Sequence, residues 1–382
     1  MAGSPTAAPR VARALGWLKG QPVLLAAAAA ALLSMAAVPP SPAYAAYFDW
    51  HTLLCLFSML AVLNALRQLG AFRILAAQLV RRFESLRSVV FALVMVTFFG
   101  SMFLTNDMAL LTFLPLSAMV LSSCGCKDKI LFTFVMQTLA ANLGGMILPF
   151  GNPQNLFLFS HYQLELTEFV GALLPAFTAS LVLIVTCCLA GVRPLPLELK
   201  GQALQASGFR AGSLAVLLAL FALVIAMVFK LVNALPGSIA TAVLLLALGY
   251  AQALRRVDYT LLATFLCFFV FSGNLAAIPA VQGLLGQLLE DGAFLPSLLA
   301  SQLISNVPAA ILLAPFTQDW SGLLLGVDIG GVGTVVASLA SLITMAEYNR
   351  CLPGNTGRFL AVFSAYNLAF LAALTALTLL LG

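Results

Sequence analysis

The stretch "FLTNDMALLTFLP", residues 103–115, is apolar except for three polar residues near its start, Thr105, Asn106 and Asp107. The stretch "LISNVPAAILLAP", residues 303–315, has polar residues at the same places, Ser305 and Asn306. An offset of 200 also matches three flanking pairs, namely Ser101 with Ser301, Ala109 with Ala309 and Pro115 with Pro315. This repetition indicates two related hairpins with polar tips.

The composition determines the broad class of protein. Hydrophobic residues make up 62% of the 382 residues and charged residues only 8%. The mean hydropathy is +1.06. A soluble domain carries about 25% charged residues, so this chain cannot present a surface that water wets. Apolar runs of about 20 residues recur, the length with which one helix crosses a bilayer. We predict an all-α polytopic protein of the plasma or inner membrane, with the lipid bilayer as its partner.

The apolar runs predict membrane spans near 21–39, 47–66, 129–148, 169–192, 212–232, 236–254, 259–280 and 356–381. Two hairpin regions, 88–126 and 296–320, and a span interrupted around 327–334 complete the set. With a cytoplasmic N-terminus, all of the 18 Lys and Arg residues except Lys230 fall on the inner side, as the positive-inside rule requires. The net charge of +5 therefore reflects orientation, and we expect no nucleic-acid partner.

The N-terminus resembles a signal peptide, because basic residues precede an apolar run and "AYA" (43–45) resembles a cleavage site. The apolar run, 23–38, is long for the hydrophobic region of a signal peptide. We predict a retained first span.

The second hairpin is too short to cross the membrane twice. Its arms, on either side of Ser305 and Asn306, have about nine and ten residues and reach about 14 Å, half of the hydrocarbon core. We therefore predict a re-entrant hairpin that enters from outside. The arms of the first hairpin are longer and would also permit two ordinary spans, but the repeat favours re-entry from the opposite face. Inverted repeats that meet at the midplane are typical of secondary transporters.

The predicted organisation has four parts. Residues 1–46 form an N-terminal tail and a first transmembrane helix, and residues 193–235 form a cytoplasmic linker and a connecting helix. The first inverted repeat, 47–192, contains hairpin 88–126 and a broken helix, 129–162. The second repeat, 236–382, contains hairpin 296–320 and a broken helix, 321–348.

Polar tips suit helices that begin inside the membrane. A helix that starts there has unpaired N–H groups that lipid cannot satisfy, and its N-terminus is the positive end of the helix dipole. Ser, Thr and Asn can cap such helices, and their oxygens and amides can also hold an ion or a carboxylate. Pure capping without a ligand is the alternative reading of these residues.

Each hairpin is followed by a second interruption. In "ANLGGMILPFGNPQNLF" (141–157), two prolines and a glycine cannot all fit a regular helix. "GVDIGGVGTVVASLASLIT" (326–344) contains a glycine cluster, and no strand precedes it as a dinucleotide-binding motif would require. Unwound backbone exposes carbonyl oxygens that suit a dehydrated cation. The candidate substrate- or ion-binding residues in these two segments are Gly151, Asn152, Pro153, Asn155, Gly331, Gly333 and Thr334.

The motifs "FLTND…LP", "NLGG…GNPQN", "SNVPAAILL" and "GVGTVVASLASLI" resemble, in this order, the ion transporter superfamily and specifically its citrate-transporter-like permeases. That grouping includes divalent anion/sodium symporters, arsenite efflux permeases and certain sodium/proton antiporters. The resemblance covers roughly residues 47–382. It implies a scaffold half and a transport half in each protomer, commonly a homodimer, and an elevator-like movement.

The Ser-Asn-Thr motif of the anion symporters, whose Asn and hydroxyl neighbour bind substrate carboxylate and sodium, matches two triplets here. They are Thr105-Asn106-Asp107 and Ser305-Asn306-Val307. The third position departs from the motif in both copies, so the resemblance leaves dicarboxylate specificity open.

Charge separates the candidate functions. No Lys or Arg lies in the apolar arms of the hairpins or in the broken segments, so an anion there requires amides, helix N-termini and a co-bound cation. An acid within the membrane is costly and indicates a function. Asp107 and Asp328 are therefore the candidate carriers of a proton or cation.

Three transport functions fit these residues. The first is a permease for a small anion, a di- or tricarboxylate such as citrate, coupled to Na⁺ or H⁺ by elevator-type alternating access. The second is arsenite or metalloid efflux, and the third is Na⁺/H⁺ antiport. An enzyme is not expected, because the chain has only His51 and His161 and lacks an HExxH motif. We expect no cofactor and no structural metal.

Overall fold

Every regular element in the described part of the chain is a helix. The computed structural model describes residues 21–80, 82–196 and 211–381. The tail residues 1–20 lie outside the described residues, as do the basic residues before the first span and residues 197–210 of the predicted linker and connecting helix, 193–235.

The described residues of the first half form eight α-helices, with 3₁₀ turns at 42–47, 127–129 and 145–147. The helices are α1 (Pro22–Ala37), α2 (Trp50–Leu69), α3 (Ala71–Val80), α4 (Leu86–Gly100), α5 (Asn106–Ser123), α6 (Ile130–Gly144), α7 (Pro153–His161) and α8 (Leu166–Gly191).

The second half begins with a connecting helix, α9, and ends with α18; a 3₁₀ turn covers 314–316. Its helices are α9 (Ala211–Val228), α10 (Ala234–Ala247), α11 (Ala251–Arg255), α12 (Tyr259–Ala276), α13 (Pro279–Glu290), α14 (Phe294–Ile304), α15 (Asn306–Leu313), α16 (Trp320–Gly330), α17 (Leu339–Cys351) and α18 (Thr356–Leu381).

Six described helices are long and apolar enough to cross a membrane by length and composition, and several shorter helices are also apolar. The six are Trp50–Leu69, Asn106–Ser123, Lys127–Ile147, Leu166–Gly191, Tyr259–Ala276 and Thr356–Leu381. Many of their large apolar side chains are exposed on the outside of the protein, which suits contact with lipid. The predicted all-α polytopic membrane fold is confirmed.

The order of elements in the first half recurs in the second. A long helix followed by a short one (α2–α3) corresponds to α12–α13, and then come a hairpin, a broken helix and a final helix of 26 residues in each half. Helix α1 packs on α12 as α10 packs on α2. Each contact includes a polar bond of 2.9 Å, from Asn274 Nδ2 to Ser34 Oγ in the first and from Ser58 Oγ to Ser238 Oγ in the second. Helix α1 therefore has a counterpart in α10, although we expected it to precede the first repeat.

The two hairpins differ in length. Helices α14 and α15 have 11 and 8 residues, or about 16 Å and 12 Å, well short of the hydrocarbon core of about 30 Å. Helices α4 and α5 have 15 and 18 residues, or about 22 Å and 27 Å. The arms of the second hairpin are short and those of the first are longer, as expected from the sequence. Re-entry of the hairpins and the face from which each enters the membrane stay predictions.

Glycines bring each hairpin close to the broken helix that follows it. A Cβ atom at Gly144 would overlap the carbonyl oxygen of Phe98 on α4. A Cβ atom at Gly326 would overlap the carbonyl of Phe294 and the hydroxyl of Ser297 on α14. Small residues at helix contacts permit this approach in membranes. Each hairpin and its broken helix therefore pack as a closely fitted pair.

We expect Gly326→Ala to lower the free energy of unfolding by about 1–3 kcal/mol, because the new methyl group must displace backbone on α14. Gly171→Ala, in an open part of helix α8 with nothing within 4 Å of the new atom, is the matched control and should be neutral or slightly stabilising. Thermal unfolding of the detergent-solubilised protein measures both. Equal melting temperatures for the two variants would contradict the close α14–α16 contact.

Candidate functional site

The tip of the first hairpin lies between the end of α4 at Gly100 and the start of α5 at Asn106. Thr105 and Asn106 are buried, and the oxygen Oδ1 of Asn106 accepts a hydrogen bond from the N–H of Asp107 at 2.9 Å. Its Nδ2 donates to Oδ1 of Asn142 on α6 at 3.0 Å. Asn106 therefore satisfies one of the free N–H groups at the helix start and also fastens the tip to α6.

The tip of the second hairpin has the same local arrangement. Helix α15 begins at Asn306, whose Oδ1 accepts from the N–H of Val307 at 3.0 Å. Ser305 has φ of 77°, in the left-handed region that costs a residue other than glycine about 1–3 kcal/mol. The carbonyl of Ala337 holds this conformation, because it accepts from the Asn306 N–H at 3.0 Å and from Ser305 Oγ at 3.2 Å.

Asn142 joins the first hairpin to the second broken helix. Besides Asn106, its Oδ1 accepts from Oγ of Ser338 at 3.1 Å, and its Nδ2 donates to the carbonyl of Gly331 at 3.3 Å. Gly331 lies against the second tip, because a Cβ atom there would be 2.8 Å from Nδ2 of Asn306. One buried amide thus connects elements from both halves of the chain.

The glycine-rich break between α16 and α17 has several of its carbonyls already paired. Nε2 of Gln302 donates to the carbonyls of Gly330 at 2.7 Å and Val332 at 3.0 Å, and Gly331 is paired with Asn142. Gly333 has φ of 124°, and its hydrogen permits contact with Gln302. Thr334 is exposed and bonds Gln302 through its N–H and hydroxyl. We expected open carbonyls for a cation here, and side-chain amides from elsewhere in the chain occupy three of them.

The first break, between α6 and α7, folds back on itself tightly. Gly151 lies so close to the carbonyl of Gly145 that a Cβ atom would overlap it. Asn155 donates from Nδ2 to the carbonyl of Met146 at 2.9 Å. Asn152 precedes Pro153, the first residue of α7, and is buried. Glycine permits the backbone to fold back at this break, and the amide of Asn155 replaces a helical hydrogen bond that is lost there.

Asp328 lies beside this first break. It is 2% exposed near the end of α16, and its Oδ1 accepts a hydrogen bond of 2.9 Å from Nε2 of Gln154 in the first turn of α7. The fold buries Asp328 beside this amide.

A cavity of about 490 Å³ reaches the first tip from one end of the bundle. Thr105 and Asp107 line it on one side, with Pro153 at the start of α7 beside them. Its remaining walls come from α2, the start of α12 and its preceding loop, α5 and the first half of α17, through Leu60, Asn64, Arg67, Met108, Leu111, Arg256, Asp258, Leu261, Leu339 and Ile343. The volume lies within the usual range for small-molecule sites, about 300–1,000 Å³.

Two arginines outside the motifs line this cavity. Arg67 is in the last turn of α2 and Arg256 follows α11, and both are exposed at its mouth. The ion pairs within 4.0 Å in the described chain are Lys129–Asp128 and Arg350–Glu347, so neither arginine has a carboxylate partner there. The two arginines therefore line the cavity outside any salt bridge, although Asp107 and Asp258 line the same cavity.

A second groove, of about 550 Å³, lies between α8 and α18 on the outside of the bundle. Its lining is apolar apart from Thr178. It lacks the polar groups that an ion or an organic anion would require, so the cavity at Thr105 is the better candidate for a solute.

The structure divides the predicted residues into two groups. Thr105, Asp107 and Pro153 line the cavity, whereas the second tip and the glycine break do not. Five residues that were not among the predicted site residues hold the site together or line it: Asn142, Gln154, Gln302, Arg67 and Arg256. Of these, only Asn142 and Gln154 could have been selected from the sequence, because they are polar residues inside apolar runs of the broken segments.

A family model described as "Citrate transporter" matches residues 15–320 of this chain. The chain belongs to the citrate transporter family. It is 32% identical over 323 residues to "Inner membrane protein YbiR" of Escherichia coli, an alignment that covers 82% of this chain and 84% of the relative. It is 29% identical to "Uncharacterized transporter MJ0456" of Methanocaldococcus jannaschii over 82% of this chain and 85% of the relative. It is also 26% identical to "Uncharacterized transporter Rv2685" of Mycobacterium tuberculosis, covering 79% of each.

Family membership confirms several predictions at a coarse level. This member of the citrate transporter family is a multi-pass membrane protein and a permease, because its family is one of transporters, two of these relatives are named transporters and the third is named an inner membrane protein. The prediction that it is not an enzyme is confirmed on the same ground. The resemblance stated from the four motifs is also confirmed.

We expect Asn142→Ala to lower the free energy of unfolding by about 1–3 kcal/mol, because it leaves buried groups on Asn106, Ser338 and Gly331 without their partner. Asn367→Ala is the matched control, since this buried amide donates only to the carbonyl of Phe363 in its own helix. Thermal unfolding in detergent compares them. If Asn142→Ala is no less stable than Asn367→Ala, the bridging role of Asn142 is wrong.

Proposed function

We propose that the protein carries a small organic anion, a di- or tricarboxylate such as citrate, coupled to Na⁺ or H⁺ by elevator-type alternating access. The observation that supports an anion is the cavity at Thr105, whose mouth has two arginines without carboxylate partners in the described chain. The guanidinium group is the side chain best suited to a carboxylate, which it can bind with two parallel hydrogen bonds.

A bound carboxylate would be attracted by both arginines and would also reduce the repulsion between their positive charges. Arg67 and Arg256 line the same cavity, so their like charges oppose one another. A carboxylate between them lowers the energy of both. Helix N-termini and amides at the tip of the hairpin then need to hold only the remaining polar groups of the solute.

Two acids in the same cavity explain why a cation must accompany the anion. Asp107 and Asp258 face it together with the arginines. Their negative charges oppose an anion with two or three carboxylates, and a bound Na⁺ or H⁺ offsets this repulsion. This charge balance supports coupled transport over passive conduction.

The grouping of helices supports an elevator movement. The hairpins pack on the broken helices, α4 and α5 on α6, and α14 and α15 on α16. A second group consists of α2 with α9 and α10, and α1 with α12. The cavity lies between α2 of the second group and the first tip of the other, where sliding of one group past the other would expose a bound solute to either side. A homodimer and a cytoplasmic N-terminus stay predictions.

Na⁺/H⁺ antiport is the second candidate function. Asp107, beside Thr105 in the cavity, supports it, because one carboxylate reachable from the mouth can exchange two cations without any organic solute. Antiport and arsenite efflux both leave the unpaired arginines without a role, and for that reason we favour the anion.

We expect proteoliposomes to take up radiolabelled citrate or succinate when an inward Na⁺ or H⁺ gradient is imposed. The cavity then fills with anion and cation together, so collapse of the gradient should stop accumulation. Arsenite counterflow, or Na⁺-driven pH change without an organic solute, would instead support the two alternatives. Liposomes without protein are the control.

We expect Arg67→Gln and Arg256→Gln each to raise the KM for the anion about 5-fold, equivalent to roughly 1 kcal/mol for an exposed charge pair. The maximal rate should change little, since the arginines lie at the mouth. Arg255→Gln is the matched control, because this exposed neighbour does not line the cavity. An equal effect of all three substitutions would indicate a general surface-charge effect and would refute specific binding.

A further inference from the structure

Helix α5, which leads away from the first hairpin tip, contains a proline in its interior, Pro115. In an α-helix the N–H of each residue donates to the carbonyl four residues earlier, and proline has no N–H. The carbonyl of Leu111 therefore lacks its helical donor. Leu111 is exposed and lines the solute cavity. A residue in the wall of the proposed anion site thus has a carbonyl that its own helix does not pair.

The guanidinium group of Arg67 supplies the missing donor from another helix. Its Nη2 donates to the carbonyl of Leu111 at 3.4 Å, so that the last turn of α2 is joined to α5. A guanidinium has five N–H donors in one plane, and this bond takes one of them. The edge that does not include this N–H keeps two parallel donors, which is the pair that a carboxylate binds.

The second half of the chain has the same proline but a different donor for the freed carbonyl. The offset of 200 that aligns the hairpins relates Pro115 to Pro315. It also relates Leu111 to Ile311. The buried Ser272 of α12, the helix that corresponds to α2, donates from Oγ to the carbonyl of Ile311 at 2.9 Å. Both halves thus pair the carbonyl that proline frees, and only the first half uses a charged side chain to do so.

The other arginine of the cavity is held in a different way. Asn64, one turn before Arg67 in α2, donates from Nδ2 to the backbone carbonyl of Arg256 at 3.0 Å. Asn64 is buried and lines the same cavity. This bond fixes the backbone at Arg256 and does not involve Pro115 or Leu111. A change at Pro115 therefore acts on one arginine of the two.

We propose that Pro115 is a positioning residue for the anion: it frees the carbonyl of Leu111, which holds the guanidinium of Arg67 in place to receive a carboxylate. This inference rests on the proposed function and assigns part of the affinity for the anion to a residue that does not line the cavity. An exposed side chain loses conformational freedom when it binds a ligand, and this loss weakens binding. The bond to Leu111 restricts Arg67 before the anion arrives, so that less freedom is lost on binding.

The test replaces the proline. We expect Pro115→Ala to raise the KM for citrate or succinate roughly 3-fold with little change in the maximal rate, because the new N–H pairs Leu111 within α5 and releases Arg67. The variant should fold, since alanine restores a helical hydrogen bond. Pro315→Ala is the matched control and should leave the KM unchanged, because Ile311 does not line the cavity. An unchanged KM in Pro115→Ala, or an equal increase in both variants, would overturn the proposal.

Double substitutions separate positioning of the arginine from a general effect on the shape of α5. In the Arg67→Gln background, Pro115→Ala should raise the KM no further, because the side chain that it positions is absent. In the Arg256→Gln background it should again raise the KM roughly 3-fold, since the two arginines are held independently. Full additivity with Arg67→Gln would show that the proline acts without Arg67 and would refute the inference.

A conservative substitution tests the guanidinium group itself. Arg67→Lys keeps the positive charge, but one ammonium group cannot hold Leu111 with one edge and a carboxylate with another. We expect Arg67→Lys to raise the KM nearly as much as Arg67→Gln, about 5-fold. A KM equal to that of the wild type would mean that charge alone suffices, which contradicts positioning.

Thermal unfolding without any solute distinguishes failure of this inference from failure of the proposed function. The effects of Pro115→Ala and Arg67→Gln on the melting temperature should be non-additive by about 1 °C, because both substitutions remove the same bond. If this coupling is found but no organic anion is bound or carried, the positioning of Arg67 by Pro115 stands and the anion proposal fails. If anion uptake is coupled to a cation gradient but the melting temperatures are additive and Pro115→Ala has the wild-type KM, the proposed function stands and this inference fails.

Discussion

The structure depends on one constraint, which is that helices broken inside a membrane protein must find partners for their free backbone groups within the protein. Lipid offers none, and each unpaired group costs several kcal/mol. Side-chain amides supply the partners here: Gln302 pairs with carbonyls of the glycine break, Asn142 with Gly331, and Asn155 with Met146. The polar residues in the apolar runs therefore have a structural role, because they pair backbone groups that the broken helices leave free.

The two halves of the chain differ in the polar side-chain atoms that remain without a hydrogen-bond partner. Related positions, at an offset of 186, hold Asn142 and Asp328, one fully engaged with neighbours and the other with a free oxygen. The two halves of the repeat therefore place different side chains, an amide and a carboxylate, at the same position in the fold. The neutral centre joins the two halves, and the acidic one keeps a carboxylate oxygen without a partner.

The unpaired arginines occupy a different position, at the mouth of the cavity and not at its inner end. A guanidinium group buried at mid-membrane would require a permanent carboxylate partner, which would compete with any anionic solute. At the end of α2 and after α11, Arg67 and Arg256 stay hydrated and still face Asp107 and Thr105 across the cavity. The protein therefore combines an apolar membrane surface with a charged entrance.

The sequence alone determined the all-α membrane class, the positions of both hairpin tips and both breaks, and the candidate acids. It could do so because apolar length, proline, glycine and caps act locally along the chain. Only the tertiary structure decided that Asp328 is buried against Gln154, that Asn142 bridges the halves, and that Arg67 and Arg256 face the tip at Thr105. Those relations join residues more than a hundred positions apart or elements with no shared motif, so they depend on how the helices pack, and no local pattern records them.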